Sequence, residues 1–165
     1  MKTLLTKLAL LLIATTMSTG LLAQAMVLEY NTNLTTGLTI RLPLYGTVNV
    51  SINWGDGNIE TVITAGNKRH IYATDGTYTV SISGTLTQYG DGTSYTGANK
   101  LVKVTSFGSL GLTSLNGAFY DATNLVEVPA TLPATITNLS NAFYGATAFN
   151  HNISTWDVSN VTNML

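Results

Sequence analysis

Cysteine is absent from this chain of 165 residues. That excludes disulfides, thiol catalysis, thiolate metal sites and a lipid-modified N-terminal cysteine. Charge is scarce as well, at 9% of residues, so abundant Thr, Asn, Gly and Ser must supply most of the polar surface. Histidine occurs twice, at His70 and His151. A metal centre generally needs three or four converging ligands, and no His/Asp/Glu cluster stands at ligand spacing. Long apolar runs are missing beyond residue 25, and about 20 apolar residues are needed to cross a bilayer. No later segment is therefore expected to span a membrane.

The one apolar run stands at the start. Lys2 and Lys7 precede "LALLLIAT" (Leu8 to Thr15), and "AQA" (Ala23 to Ala25) offers small residues where a signal peptidase reads. This pattern predicts a secretory signal peptide over residues 1–25, cut after Ala25. The run is too short for a comfortable membrane anchor. Part of the 45% hydrophobic content belongs to this leader. Met26 to Leu165 would then carry five basic and eight acidic residues, a formal charge of −3. Nucleic acid and anionic membranes need clustered Lys/Arg, so neither is expected as partner. An exported chain without disulfides has to be held by core packing alone.

From Leu38 to Ile82 the sequence alternates. "VNVSINW" sets Val48, Val50, Ile52 and Trp54 on one side and Asn49, Ser51 and Asn53 on the other, the pattern of a half-buried strand. "LTIRLPL" alternates likewise through Leu38, Ile40, Leu42 and Leu44. Pro43 has no N–H for a ladder, which predicts an edge strand. "YTVSIS" turns Tyr78, Val80 and Ile82 inward. "GDGN" (Gly55 to Asn58) and "TDGT" (Thr74 to Thr77) supply turn residues between the runs. Short alternating strands with such punctuation predict an antiparallel β-sandwich.

"INWGDGN" followed by "HIYATDGTYTVSISG" resembles the PKD domain, an immunoglobulin-like sandwich of extracellular proteins. The resemblance covers about Leu28 to Gly84 and rests on the Trp-Gly-Asp-Gly turn, the His70/Tyr72 pair and Gly76-x-Tyr78-x-Val80. Many PKD domains carry a further aromatic residue before the Gly-Asp-Gly. Tyr78, just past a turn, is placed to hydrogen-bond back to the corner. His70 is expected to make a structural hydrogen bond.

From about Asn99 the rhythm is long. "AFYDAT" (Ala118 to Thr123) returns 24 positions later as "AFYGAT" (Ala142 to Thr147). "KLVKV" (Lys100 to Val104) matches "NLVEV" (Asn124 to Val128). "LTSL" (Leu112 to Leu115) matches "ITNL" (Ile136 to Leu139) and "VTNM" (Val161 to Met164). A fixed period of about 20 to 29 residues marks a leucine-rich-type solenoid, in which each coil buries its apolar side against the next. Phe119 is expected over Phe143, Leu115 over Leu139 over Met164, and Leu101 over Leu125 over Phe149. "AFYGATAFNHNISTWDVSNVTNM" resembles the BspA-like leucine-rich repeats of bacterial surface proteins, above all in Trp156 to Met164. The middle copy departs, with "VPATLPATITNL" and its Pro129 and Pro133.

The fold class expected is therefore mainly β: an N-terminal Ig-like β-sandwich over 26–84, then a short leucine-rich-repeat-like solenoid over 99–165. "QYGDGTSYTG" (Gln88 to Gly97), within 85–98, reads equally as a linker or a hairpin. The chain stops part-way through a repeat, at "VTNML". This predicts either a fragment of a longer protein or a repeat end covered by a partner, with self-association through that end.

Asp56, Asp75, Asp91, Asp121 and Asp157 offer loop oxygens of the kind calcium takes, but their spacing is not that of an EF-hand and turn formation accounts for them. His151 is expected on a surface loop. No Gly-x-Ser-x-Gly elbow and no phosphate loop is present. The expectation is a non-enzyme with no cofactor, no metal and no assignable ligand contact. The repeat resemblance implies a secreted or cell-surface bacterial protein that adheres to an extracellular protein or glycan, with contact made by rows of Asn, Thr, Tyr and His repeated coil after coil. The PKD resemblance also admits an accessory region of a larger secreted hydrolase, and a structural role in a surface layer is the third reading.

Overall fold

The computed structural model describes residues 24–165. The expected leader thus falls outside the described residues except for Gln24 and Ala25. Six strands follow: β1 (Met26–Asn31), β2 (Thr39–Asn53), β3 (Ile59–Val62), β4 (Gly66–Ile71), β5 (Thr77–Tyr89) and β6 (Leu101–Phe107). Among the described residues, helix is limited to two single 3₁₀ turns, Thr32–Leu34 and Ala98–Lys100. The strands pair antiparallel in the order β3-β2-β5-β1-β6, with β4 also on β2.

The alternation seen in the sequence becomes burial. Val48, Val50, Ile52 and Trp54 are buried, and so are Ile40, Leu42, Leu44, Val80 and Ile82. Strand β2 changes partners along its length: Thr39–Leu44 pairs with β4 and Val50–Asn53 with β3, while β5 pairs with it from Leu44 to Asn53. A bulge interrupts the β2–β5 ladder between Tyr45 and Val48, at Gly46 with φ 68°. A bulge bends a strand and sharpens its twist, which suits a strand that passes from β4 to β3 while staying paired with β5.

Pro43 differs from its expected edge position. It lies opposite Asn67 of β4 on one flank, and its carbonyl accepts from Gly90 N at 2.8 Å. Its missing N–H is tolerated because the 90–96 segment, rather than a regular strand, runs along that stretch; Arg41 N donates to Thr96 O there. Tyr78 does bond back to its corner, donating from Oη to Thr74 O at 2.8 Å.

Strand β5 runs on to Tyr89, into the segment that reads as linker or hairpin. There it begins a parallel series that continues to the end of the chain: Gln88 bridges Ser114, Ser114 bridges Asn138, and Asn138 bridges Asn163. Tyr89 N donates to Ser114 O, Leu115 N to Asn138 O, and Leu139 N to Asn163 O. On another side of the repeats, Val126 N donates to Val102 O and Val104 N to Glu127 O. The first and second repeats therefore lie directly against β5 and β6, and one apolar core runs through both halves.

The seam between the halves is aromatic. Tyr30 and Tyr89 are fully buried with their hydroxyls 3.3 Å apart, and Tyr95 Oη donates to Ala118 O at 2.9 Å. Burial pushes the Tyr30 phenol up to about 12, against a lowering by its bonds to Tyr89 and Tyr95. Burial drives Tyr89 and Tyr95 well above the ordinary phenol range. Nearby, buried Lys100 donates from Nζ to the carbonyls of Thr35 and Thr36 and to the Thr35 hydroxyl. Burial lowers its pKa, while Asp75 works to raise it. A buried ammonium requires such bonds, since desolvation without them is expensive.

Candidate binding surface

The repeat half presents outward what its sequence repeats. Leu112, Leu115, Ala118, Phe119 and Ala122 are buried, and so are Ile136, Leu139 and Ala142 one repeat later. The intervening side chains face out and recur in rows. Thr113 Oγ1 donates to Thr87 O, Thr137 Oγ1 to Thr113 O, and Thr162 Oγ1 to Thr137 O. These exposed threonines thus tie each repeat to the one before it.

The repeated hexapeptide supplies the most prominent outward group. Phe119 and Phe143 sit on the inner side with ring centroids 5.2 Å apart. The next residues, Tyr120 and Tyr144, stack at 4.6 Å with an interplanar angle of 30°. Tyr144 is 60% exposed, so the far face of this pair is open. Its phenol offers an apolar plate with a polar tip, a combination favoured at contact sites.

Beside Tyr144 lies a hollow of about 510 Å³, lined by Phe143, Ile153, Trp156, Val158, Met164 and Leu165 among others. Trp156 is anchored in its wall by a hydrogen bond from Nε1 to Pro129 O at 2.8 Å. The expected columns hold in part. Leu101 and Leu125 are fully buried, but Phe149 is half-buried and stacks on Phe143 at 4.4 Å. Met164, expected beneath Leu139, lines the same hollow as Leu139 and is 63% exposed. The backbone register survives there through Leu139 N and Asn163 O.

The residues singled out for chemistry lie apart. His70 stacks on Trp54 at 4.4 Å and meets Asp56 Oδ2 through Nε2 at 2.8 Å. Partial burial works to raise the Asp56 pKa. Bonds from the Asn58 backbone, His70 and the Asn58 side chain outweigh it and hold the carboxyl below its usual range. His151 is half-buried in the repeat region, 6.4 Å from the Phe149 ring. Asp56, Asp91 and Asp157 each accept from the backbone N–H two residues on, from Asn58, Thr93 and Ser159. That is the local turn bond characteristic of Asp. Asp121 occupies a positive-φ position at 56°. Among the described residues, no three His, Asp or Glu side chains converge as metal ligands would. No helix of the described residues is long and apolar enough to cross a membrane.

The Tyr120–Tyr144 pair is one of the outward rows of Asn, Thr, Tyr and His expected from the repeats. The doubled hexapeptide carries the signal for the row, but does not say which of its residues turn outward. That its tyrosine faces out while its phenylalanine faces in depends on the turn geometry.

This outward row lies within a segment that matches a family model. Residues 113–165 match the family described as Mycoplasma protein of unknown function, DUF285. That domain is found in BspA-like surface repeat proteins. The DUF285 segment begins at Thr113, the first threonine that bonds back to β5, and contains both copies of the hexapeptide. No curated protein and no solved structure matches the chain.

Proposed function

We propose that this is an exported bacterial surface protein that binds an extracellular protein or glycan and performs no catalysis. In this reading Met26 to Gly84 forms an Ig-like β-sandwich that serves as a spacer, and residues 99–165 form a leucine-rich-type solenoid. Several features support it: the leader pattern, the passage of β2 from β4 to β3, and the DUF285 match. The observation that carries it is the in-register series Gln88, Ser114, Asn138, Asn163, because it sets identical outward groups in rows. Stacked repeats build extended surfaces of that kind for contact with partners.

The function is tested by displaying the purified protein against immobilised matrix proteins and oligosaccharides. A saturable ligand is expected, with Tyr144→Ala weakening it at least about tenfold, as loss of a contact tyrosine does, without altering the melting temperature. A ligand bound equally well by Tyr144→Ala, or no ligand at all, overturns the assignment. Export is tested separately by intact mass of the protein recovered outside the cell. The chain should begin at Met26; a mass that begins at Met1 removes the extracellular assignment.

A further inference from the structure

Arg41 of β2 and Arg69 of β4 stand directly opposite each other in antiparallel register. Side chains so opposed share one face of the sheet, with Cβ atoms about 4.5–5.5 Å apart, and like charges there repel. Only five basic residues lie beyond residue 25, yet two of them are placed together. No carboxylate of the chain answers them. All eight acids lie among the described residues, and the ion pairs there join Lys68 to Glu60, His70 to Asp56 and Lys103 to Glu127.

The Nε of Arg41 is moreover buried without any hydrogen-bond partner. A guanidinium N–H taken from water and left unpaired is costly. Such a group in a folded protein calls for a ligand, ion or water to complete it. The same sheet face continues through Asn67, opposite Pro43, to Tyr45, whose hydroxyl accepts from Asn67 Nδ2 at 3.2 Å. Asp91 lies beside Tyr45, but Thr93 already occupies its Oδ1 through N and Oγ1, at 3.0 and 2.6 Å. Lys68 points to the opposite face and is held by Glu60.

We propose that Arg41 and Arg69 form a binding site for one oxyanion, the carboxylate or sulfate of an acidic sugar unit. Two guanidinium forks side by side match a carboxylate or sulfate through paired N–H···O bonds. The chain carries a formal charge of −3 beyond residue 25, which repels a run of acids, so one isolated anion is accepted where an acidic peptide is not. Asn67 and Tyr45, in line with the pair, supply an amide and an aromatic edge for the neutral hydroxyls of a sugar ring. The site lies on the sheet, away from the repeat rows, and does not depend on the function proposed above.

The test is titration of the purified protein with glucuronate, glucose 6-sulfate, glucose and an oligoglutamate peptide at constant ionic strength. It is read by the Arg41 Nε–Hε signal in ¹⁵N NMR and by melting temperature. Glucuronate or glucose 6-sulfate should shift the Arg41 signal saturably and raise the melting temperature, while glucose does neither. Arg69→Gln alters an exposed residue and should keep the fold but weaken the acidic sugar at least tenfold; Arg69→Lys should weaken it less. If neither acidic sugar moves the signal beyond matched sodium chloride, the pair only guards the sheet edge and the proposal fails. If oligoglutamate binds as tightly as the sugars, the saccharide assignment fails.

Discussion

Asp121 and Gly145 hold the same place in successive copies of the hexapeptide, and both have left-handed backbone, with φ of 56° and 71°. Asp121 N donates to Tyr144 O, so the two turns lie one against the other. A Cβ added at Gly145 would run into Asp121 Oδ1. The single difference between "AFYDAT" and "AFYGAT" thus falls at the position with the strictest backbone requirement. The first copy meets that requirement with Asp, which tolerates the left-handed region better than most residues.

Gly145→Ala should accordingly destabilise the protein by about 1–2 kcal/mol, the cost of placing a Cβ in left-handed backbone, with the Asp121 contact adding to it. Asp121→Gly should be near neutral. In the double variant the contact is gone, so its loss of stability should be smaller than that of Gly145→Ala alone. Urea melts of the three variants check this; a double variant no better than the single shows that the two turns do not touch.

Phe119 is fully buried, whereas Phe143, one repeat later, is only half-buried. Phe119→Ala should therefore cost about 3–5 kcal/mol, the usual range for a buried phenylalanine, and Phe143→Ala clearly less. Phe143→Asp should still loosen the last repeat, because it sets a charge against Phe119, Phe149 and Trp156. Thermal melting unchanged in Phe143→Asp would show that the ring carries no packing.

The tyrosine seam sets an alkaline limit on stability. Tyr30, Tyr89 and Tyr95 have folded-state pKa values above the ordinary value, and burial is the leading cause for each. A phenol raised in this way favours the folded state while it is neutral in both states. Its contribution is complete below about pH 10, the unfolded value, and is lost as pH rises toward the folded one, about 12 for Tyr30. Phenolate absorbance should rise in two stages, with the later stage coinciding with loss of strand signal in circular dichroism. If all eight tyrosines titrate together near pH 10 while the strands persist, the seam is open to water.

Much of this arrangement was legible in the chain itself. Alternation fixed which residues of β2 and β5 face inward, because successive side chains on a strand must point to opposite sides. The 24-residue recurrence set which residues stack between repeats, since each copy buries the same apolar positions. Turn chemistry placed Asp56, Asp91 and Asp157 where their bonds to Asn58, Thr93 and Ser159 are found. Rows of outward tyrosine were expected from the repetition, but that Tyr120 and Tyr144 stack ring on ring at 4.6 Å was not.

Other relationships join residues far apart in sequence, and no local pattern encodes them. That β2 divides between β4 and β3, that Pro43 is flanked on both sides, and that β5 itself becomes the first rung beneath Ser114 all follow from long-range register. Register is set by the fit of whole faces to one another, so only the packed molecule decides it. The same cause opposes Arg41 to Arg69 and closes Tyr30, Tyr89 and Tyr95 around one seam. The sequence determined which side of each strand and repeat is apolar; tertiary packing decided which neighbours meet, because burial rewards a match of surfaces without regard to their distance along the chain.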